Sequence, residues 1–257
     1  MKTLFSVLTA LIITFQPLGI FAQDDEIDDL GFEETTYEPK SQPYFAVGGG
    51  YIGSLFFPDL GPVNTLITDN NFDMDELDGF IYTQGFEVFT VTFIVPNLRT
   101  GFFSQAGSKQ VDKGGIIINE TEYNRSIEYA VNYQGIIAEY AFMPFSSLAI
   151  IPGVRGGWGT LAIEAYQGND NITGNFEPGS SDEIWLNRIR SNFLFVQPQL
   201  NIEFAFTDFF MARLSANYNL ASMGDWKLNR KTDFPDSDIE ASGLSVQFGI
   251  FVGLFNY

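Results

Sequence analysis

Cysteine and histidine are both absent from this 257-residue chain. Their absence excludes disulfides, thiol nucleophiles, Cys/His zinc and haem sites, and every catalytic triad with an imidazole base. Positive charge is scarce: 13 Lys+Arg stand against 32 Asp+Glu, a formal charge of −19. That balance argues against nucleic acid, whose backbone is held by Lys and Arg. Long apolar runs are missing too, so no stretch reaches the roughly 20 residues of a membrane-crossing helix. Aromatic residues are what the chain has in excess: 27 Phe, 11 Tyr and 3 Trp, 16% of the total.

Residues 1–22 read as a secretory signal peptide. Lys2 precedes a short apolar core from Leu4 to Phe15, followed by Pro17, Gly19 and a small residue, Ala22, at the cut. No cysteine follows, which excludes a lipoprotein anchor. Residues 23–43 hold eight acids and a single base, Lys40. Such a segment cannot bury enough apolar area to offset its ordering entropy, so it is expected to be a disordered, periplasmic tail.

From Tyr44 onward the apolar period is two, the mark of strands with one apolar face. Leu194, Val196, Pro198, Leu200, Ile202, Phe204 and Phe206 alternate with Gln197, Gln199, Asn201 and Glu203. Phe210 to Leu220, Leu244 to Ile250, Leu148 to Trp158 and Ile127 to Tyr133 alternate likewise. Tight connections at Pro96-Asn97, Met143–Ser146 and Thr207-Asp208 alternate with long polar ones near 55–79, 108–122, 167–184 and 224–242. Three short turns and four long loops join eight strands, expected at 44–54, 80–95, 98–107, 123–142, 147–166, 185–206, 209–223 and 243–255. The fold class is therefore all-β, an eight-stranded antiparallel up-and-down barrel over residues 44–257.

A soluble barrel would turn its apolar faces inward around a greasy ligand, and a membrane barrel would turn them out to lipid. Aromatics gather at the strand ends, with Tyr140, Phe142, Phe145, Phe206, Phe209, Phe210, Phe255 and Tyr257 by the short turns. Tyr123, Trp158, Tyr166, Trp185 and Tyr218 lie towards the long loops. The tail and the four loops together hold 26 acids and 6 bases, whereas strands and short turns hold 6 of each. A neutral wall is what lipid requires, since a mid-depth charge costs about 2–4 kcal/mol. The transmembrane reading is favoured.

On these grounds the chain resembles the small outer-membrane β-barrel proteins of diderm bacteria, the group that includes the outer membrane protein A transmembrane domain. The resemblance covers residues 44–257 and implies an outer-membrane location. It also implies insertion by the barrel assembly machinery, with Phe251, Phe255 and Tyr257 as the terminal assembly signal. Leu244 to Leu254 runs in the opposite phase, so a bulge or glycine kink near Gly249–Gly253 is expected to flip the face. Barrel enzymes of that membrane rely on histidine, so the resemblance implies no enzyme and no cofactor.

In so narrow a barrel the polar-phase residues should fill the lumen. These are Arg99, Glu128, Arg155, Gln197, Gln199, Asn201, Glu203, Arg213, Asn217 and Gln247, with Asn132 and Gln134. The expectation is a packed polar plug; a narrow ion path gated by Arg–Glu pairs is the alternative. Glu87, Glu139 and Glu164 fall on apolar phases. A bulge near Gly85 or a rim position would accommodate Glu87, a bulge near Gly135 Glu139, and a site above the lipid Glu164. The first loop carries Asp69, Asp73, Asp75, Glu76 and Asp78, which lack EF-hand spacing and offer at most loose Ca²⁺ or Mg²⁺ binding, bridging to surface glycolipid. Its segment 58–68 has helix-like spacing and should cap the mouth or dip into it. Gly48, Gly49 and Gly50 should permit tight curvature. Asn119-Glu120-Thr121 and Asn171-Ile172-Thr173 match a glycosylation pattern, read as chance. The functional expectation is a monomeric, non-enzymatic barrel with a structural or surface-interaction role, touching envelope lipids, glycolipid or divalent cations through acidic loops. A narrow channel or transporter for ions or small apolar solutes is the runner-up.

Overall fold

The computed structural model describes residues 44–92, 94–145, 147–169, 184–235 and 237–256. The expected signal peptide, acidic tail and Tyr257 lie outside them, as does most of the third long connection. Among the described residues, eight long strands run in sequence: β1 (Phe45–Pro58), β2 (Ile81–Val91), β3 (Leu98–Ile118), β4 (Thr121–Tyr140), β6 (Leu148–Gly168), β7 (Trp185–Thr207), β8 (Phe210–Met223) and β11 (Gly243–Asn256). Shorter elements sit in the connections: helix α1 (Gly61–Asp69), strand β5 (Phe142–Phe145), and the hairpin of β9 (Lys227–Leu228) and β10 (Thr232–Asp233).

Each long strand pairs antiparallel with its neighbours in sequence, and β11 pairs with β1 to close the ring. Followed from strand to strand, Tyr51 lies opposite Phe86, then Ser104, Gln134, Trp158, Leu194 and Ser222. That path starts in the middle of β1 and ends beyond Asn219, the last residue of β8 paired to β11. The strands are thus tilted, as closure of a barrel requires. Glycines permit the close approach at the seam. A Cβ on Gly48 would stand 2.9 Å from the Phe255 ring, and one on Gly50 2.0 Å from the Ile250 carbonyl oxygen.

The barrel is apolar outside and mixed inside. Leu200, Ile202, Leu214 and Phe248 are 49%, 47%, 56% and 43% exposed, while Glu203, Arg99 and Asn201 are sealed within. With the eight strands closed into one ladder and an apolar belt around it, this is a transmembrane β-barrel of the outer-membrane type. Trp158 and Tyr218 face outward at the loop-side edge of the belt, and Tyr51 and Tyr82 join hydroxyls at 2.6 Å. Tyr140, Phe142, Phe145, Phe206, Phe209 and Phe210 are exposed at the short-turn edge. Three expected girdle members do not face lipid: Tyr123 and Phe255 point inward and are buried, and Trp185 packs against the core and stacks on Phe72 of the first loop.

The 108–122 connection is not a loop. β3 and β4 continue as a paired hairpin, and the chain reverses at Asn119 and Glu120, whose φ values are 48° and 66°. Positive φ at both central residues is what a two-residue hairpin turn needs. The strand went unseen in the sequence because above the membrane its outward face is polar (Ser108, Gln110, Asp112), so no apolar alternation marks it.

These heights predict a contrast. Leu200→Arg, midway down the belt on β7, should destabilise the folded barrel by ~2–4 kcal/mol. Ser108→Arg, above the lipid on β3, should change stability by less than ~0.5 kcal/mol. Guanidinium titration of both variants in phosphatidylcholine vesicles checks the pair.

Candidate functional site

The lumen is crossed by one unbroken chain of charges, Glu139–Arg99–Glu203–Arg213–Glu87–Arg155, every side chain of which has zero exposure. Arg99 donates Nε–H to Glu139 at 2.5 Å and forks its two terminal nitrogens onto the Glu203 carboxylate at 2.8 and 2.5 Å. Arg213 donates Nε–H to Glu203 at 2.6 Å and reaches Glu87 with a terminal nitrogen. Arg155 donates to Glu87 at 2.5 Å and to the Gln247 amide oxygen at 2.7 Å. Asn201 and Gln199 donate to the remaining oxygen of Glu139, Asn201 at 2.8 Å. Tyr44, just before β1, accepts from Arg99 at 3.3 Å. Seven of the eight long strands supply a member, so the network ties the walls together across the bore.

Burial of an ion is costly unless its charge is cancelled, and this arrangement cancels it while engaging most of the hydrogen-bonding groups. Arg155 Nε and one terminal nitrogen of Arg213 have no hydrogen-bond partner among the described residues. Three cations and three anions alternate. Guanidinium groups suit the role because their planar fork serves two carboxylates at once. Aromatic faces take up the rest of their surface. Arg99 lies 4.3 Å over Phe89, Arg213 4.3 Å over Phe251, and Arg155 4.6 Å over Phe103.

Of the expected lumen set, Arg99, Arg155, Arg213, Glu203, Gln197, Gln199, Asn201, Asn217 and Gln247 do face inward and are buried. Glu128 does not. On β4 the inward phase is the apolar one, with Ile127, Tyr129, Val131 and Tyr133 all buried, which turns Glu128, Asn132 and Gln134 to the outside. The physical reason is that the loop-side half of the bore is an apolar core. Phe103, Tyr133 and Phe195 meet edge to face there at 5.6–6.0 Å. The same phase carries Glu139 inward with no register shift at Gly135, and Glu87 enters the lumen with no shift at Gly85. The sequence signal for both was their isolation on apolar faces. Glu164 faces outward, as expected.

Above the aromatic layer, α1 seals the mouth. Val63 and Ile67 are buried and pack with Leu60, Leu77, Trp226 and Ile239 in the same core. Pro62 in the first turn suits helix initiation. Asn64 fixes the return chain by donating to the Leu77 carbonyl and accepting from the Leu77 amide, both at 2.9 Å. The β3–β4 hairpin holds this loop. Lys113 bonds Asp73 at 2.7 Å, Lys109 reaches Asp78, and Arg125 donates to the Phe72 carbonyl. The Lys113 ammonium keeps the Asp73 carboxyl below the usual aspartate range. Asp69, Asp73, Asp75, Glu76 and Asp78 do not converge, and no group of three potential metal ligands occurs among the described residues.

The terminal strand also differs from expectation. β11 pairs with β1 and β8 without a register shift, so no kink near Gly249–Gly253 flips its face. Leu244, Val246, Phe248, Ile250, Val252 and Leu254 meet the lipid, and Phe251 and Phe255 pack in the lumen against Phe89.

Outside, four strands rise above the rest. β3, β4, β6 and β7 span 20 to 23 residues, against 11 to 14 for β1, β2, β8 and β11. β2 is last paired at Thr83 with Gly107, so β3 from Ser108 to Ile118 has β4 on one side only. The raised wall has a polar outer face that includes Gln110, Glu128, Glu164 and Arg188 in one cross-strand row.

No family model matches the chain, and no curated protein matches it. The solved structures that the chain matches include three of outer-membrane proteins. One is a major outer membrane protein of Thermus thermophilus (8% identity, TM-score 0.44), covering 82% of this chain and 99% of that one. Ail, the attachment invasion locus protein of Yersinia pestis, gives 11% identity and a TM-score of 0.34, covering 84% and 99%. Ail in complex with the heparin analogue sucrose octasulfate gives 10% and 0.30 over the same shares.

Removing one link of the charge chain should be costly. Arg213→Ala strips a partner from both Glu87 and Glu203 and should destabilise the barrel by ~3–5 kcal/mol. Glu128→Gln, on the outer face, should stay within ~0.5 kcal/mol; guanidinium titration compares them. The mouth should respond to acid. Because Asp73 titrates below its ordinary value, its contact with Lys113 is complete above the usual aspartate range and lost as pH falls through the depressed titration. Trp185, stacked 5.5 Å from Phe72, reports on it. In a Trp158→Phe, Trp226→Phe chain, emission should hold from neutral pH through the usual aspartate range and change only below.

Proposed function

We propose that this chain is a sealed, non-enzymatic outer-membrane barrel whose working surface is the part it raises above the membrane. One observation carries the reading: the bore is closed twice, by the six-membered Arg–Glu chain and by the apolar core beneath α1. A through-path for ions would have to separate pairs of fully desolvated charges. What remains for function is outside: the acidic loops and the four-stranded wall with its hairpin at Asn119-Glu120. The barrel acts as a monomer, inserted by the barrel assembly machinery and in contact with outer-membrane lipids and surface glycolipid. With Asp73 and Asp78 engaged by lysines, Asp69, Asp75 and Glu76 are the first-loop acids left for a divalent cation. The absence of histidine removes the base on which known barrel enzymes depend and supports a role without catalysis.

A narrow channel is the second reading, and one observation favours it. Gln105, Gln197, Ser215 and Asn217 are buried in the lumen with side-chain atoms that have no hydrogen-bond partner among the described residues. Planar-bilayer recording from the purified, refolded barrel separates the two. The sealed barrel should give no stable steps above the bilayer background at 0.1 M salt or 1 M salt. Stable unitary steps that disappear when Arg213 is replaced would establish the channel instead.

A further inference from the structure

In a chain so acidic, one outer surface is unexpectedly basic. Arg188 and Arg190 stand on the outward face of β7, and the β9–β10 hairpin lays Lys227, Arg230 and Lys231 beside them. The pairing is direct, with Arg190 opposite Lys227 and Ile189 opposite Leu228. Asn229 and Arg230 turn the hairpin with φ values of 49° and 68°. The Arg188 amide is held by the Asn229 side-chain oxygen at 2.9 Å, so strand and hairpin form one fixed platform.

Carboxylates are near but only partly cancel this charge. Asp233 takes Lys227, whose ammonium it keeps above the ordinary lysine range. Glu164 is 3.9 Å from Arg188, beyond hydrogen-bonding distance, and Asp225 borders the platform. Arg190 bonds only the Thr160 hydroxyl, at 3.2 Å, and neither it, Arg230 nor Lys231 forms an ion pair among the described residues.

Depth gives this platform its meaning. Leu194 on β7 and Trp158 opposite it on β6 are exposed and mark the loop-side limit of the belt there, and Asn192 and Thr160 begin the polar zone. Arg190 lies four residues above Leu194, roughly 13 Å along the strand and roughly 10 Å along a tilted barrel's axis. The headgroup layer extends about 5–8 Å beyond the hydrocarbon, and a long arginine side chain can reach down to it. Two recesses open at this height. One, of about 580 Å³, has a floor of small residues, Ala106, Gly107, Ala130 and Ala162, beside Arg188 and Arg190, and Glu128 lines the same recess without an ion pair to either arginine among the described residues. The other, of about 410 Å³, is bordered by Arg190, Asn192, Lys227 and Arg230. Arg190 is the wall they share.

We propose that this platform is a seat for the phosphate groups of an anionic lipid headgroup in the loop-side leaflet, with Arg190 and Arg230 as its principal phosphate-binding residues. Guanidinium groups match a phosphate's oxygens in pairs, and the small-residue floor leaves room for the headgroup's sugar or glycerol. The proposal sharpens the lipid contact included in the reading above and rests on its membrane orientation, but not on whether the lumen is closed.

The test is native mass spectrometry of the refolded full chain, released from detergent containing diphosphoryl lipid A. A matched sample carries the same lipid with its phosphates removed, and another the diphosphoryl lipid with millimolar inorganic phosphate. The intact barrel should retain one diphosphoryl lipid at least five-fold more often than the dephosphorylated lipid, and free phosphate should not displace it. Arg190→Gln with Arg230→Gln should bring retention down to the dephosphorylated level, while circular dichroism and heat-dependent gel mobility show the variant still folded. Equal retention of the two lipids, or undiminished retention by the folded double variant, would overturn the proposal. Displacement by inorganic phosphate would also overturn it, because the site would then serve a soluble anion. Conductance is recorded separately, so an open lumen would sink the sealed-barrel reading and leave this result standing.

Discussion

Six charges confined in a narrow bore set the terms for much of this fold. A buried ion left without a counter-ion costs several kcal/mol, so Arg99, Arg155 and Arg213 can be inside only if Glu87, Glu139 and Glu203 are there too. Each of the six comes from a different strand, which couples register to electrostatics. A slip of two residues on β2, β3, β4, β6, β7 or β8 would keep its apolar face to the lipid but carry its charge roughly 7 Å along the bore, away from its partners. The network therefore selects one register among those that hydrophobic alternation alone would tolerate. The apolar belt gives the barrel its solvent, and the charge chain gives it its alignment.

The architecture was legible in the sequence because lipid outside and polar residues inside produce a period-two pattern that survives in β7, β8 and β11. Strand boundaries there fall within a few residues of those read from alternation and turns. The pattern fails on β4 for a definite reason. A signal that equates apolar with lipid-facing assumes a uniformly polar lumen, and this lumen is stratified. Ions fill the short-turn half and aromatic and aliphatic side chains the loop half. Along β4, Ile127 to Tyr133 belongs to the second layer and Glu139 to the first, all on one face. A single glutamate at the end of an apolar series was the clue, and it made sense only with Arg99 opposite it on β3.

The β3–β4 hairpin was illegible for a related reason. Once strands leave the membrane their outer face meets water, so the outward residues turn polar while the inward ones, Lys109 and Lys113, reach across to the first loop. Polar on both faces is indistinguishable from loop by composition. On the terminal strand, glycines and aromatics share one phase, so Phe251 and Phe255 read equally as an assembly signal or as packing against Gly48 and Phe89. The helix in the first loop was legible because Val63 and Ile67 are spaced four apart, and its burial follows from the apolar layer awaiting it at the mouth.

Charge is sorted by height as well as by sign. Within the belt the wall is neutral on its lipid face, and the ions it holds are cancelled inside. Above the belt, β3 and β4 supply bases inward to anchor an acidic loop, whereas β7 and its neighbouring hairpin turn bases outward. An acidic surface repels an anionic leaflet, and a barrel with loops this negative would be pushed away from the headgroups that surround it. As the proposed phosphate seat, a local platform of arginine and lysine beside the belt would counter that repulsion where wall meets headgroup. It would leave the acids free to dominate farther out, and so would reconcile an acidic protein with an anionic leaflet.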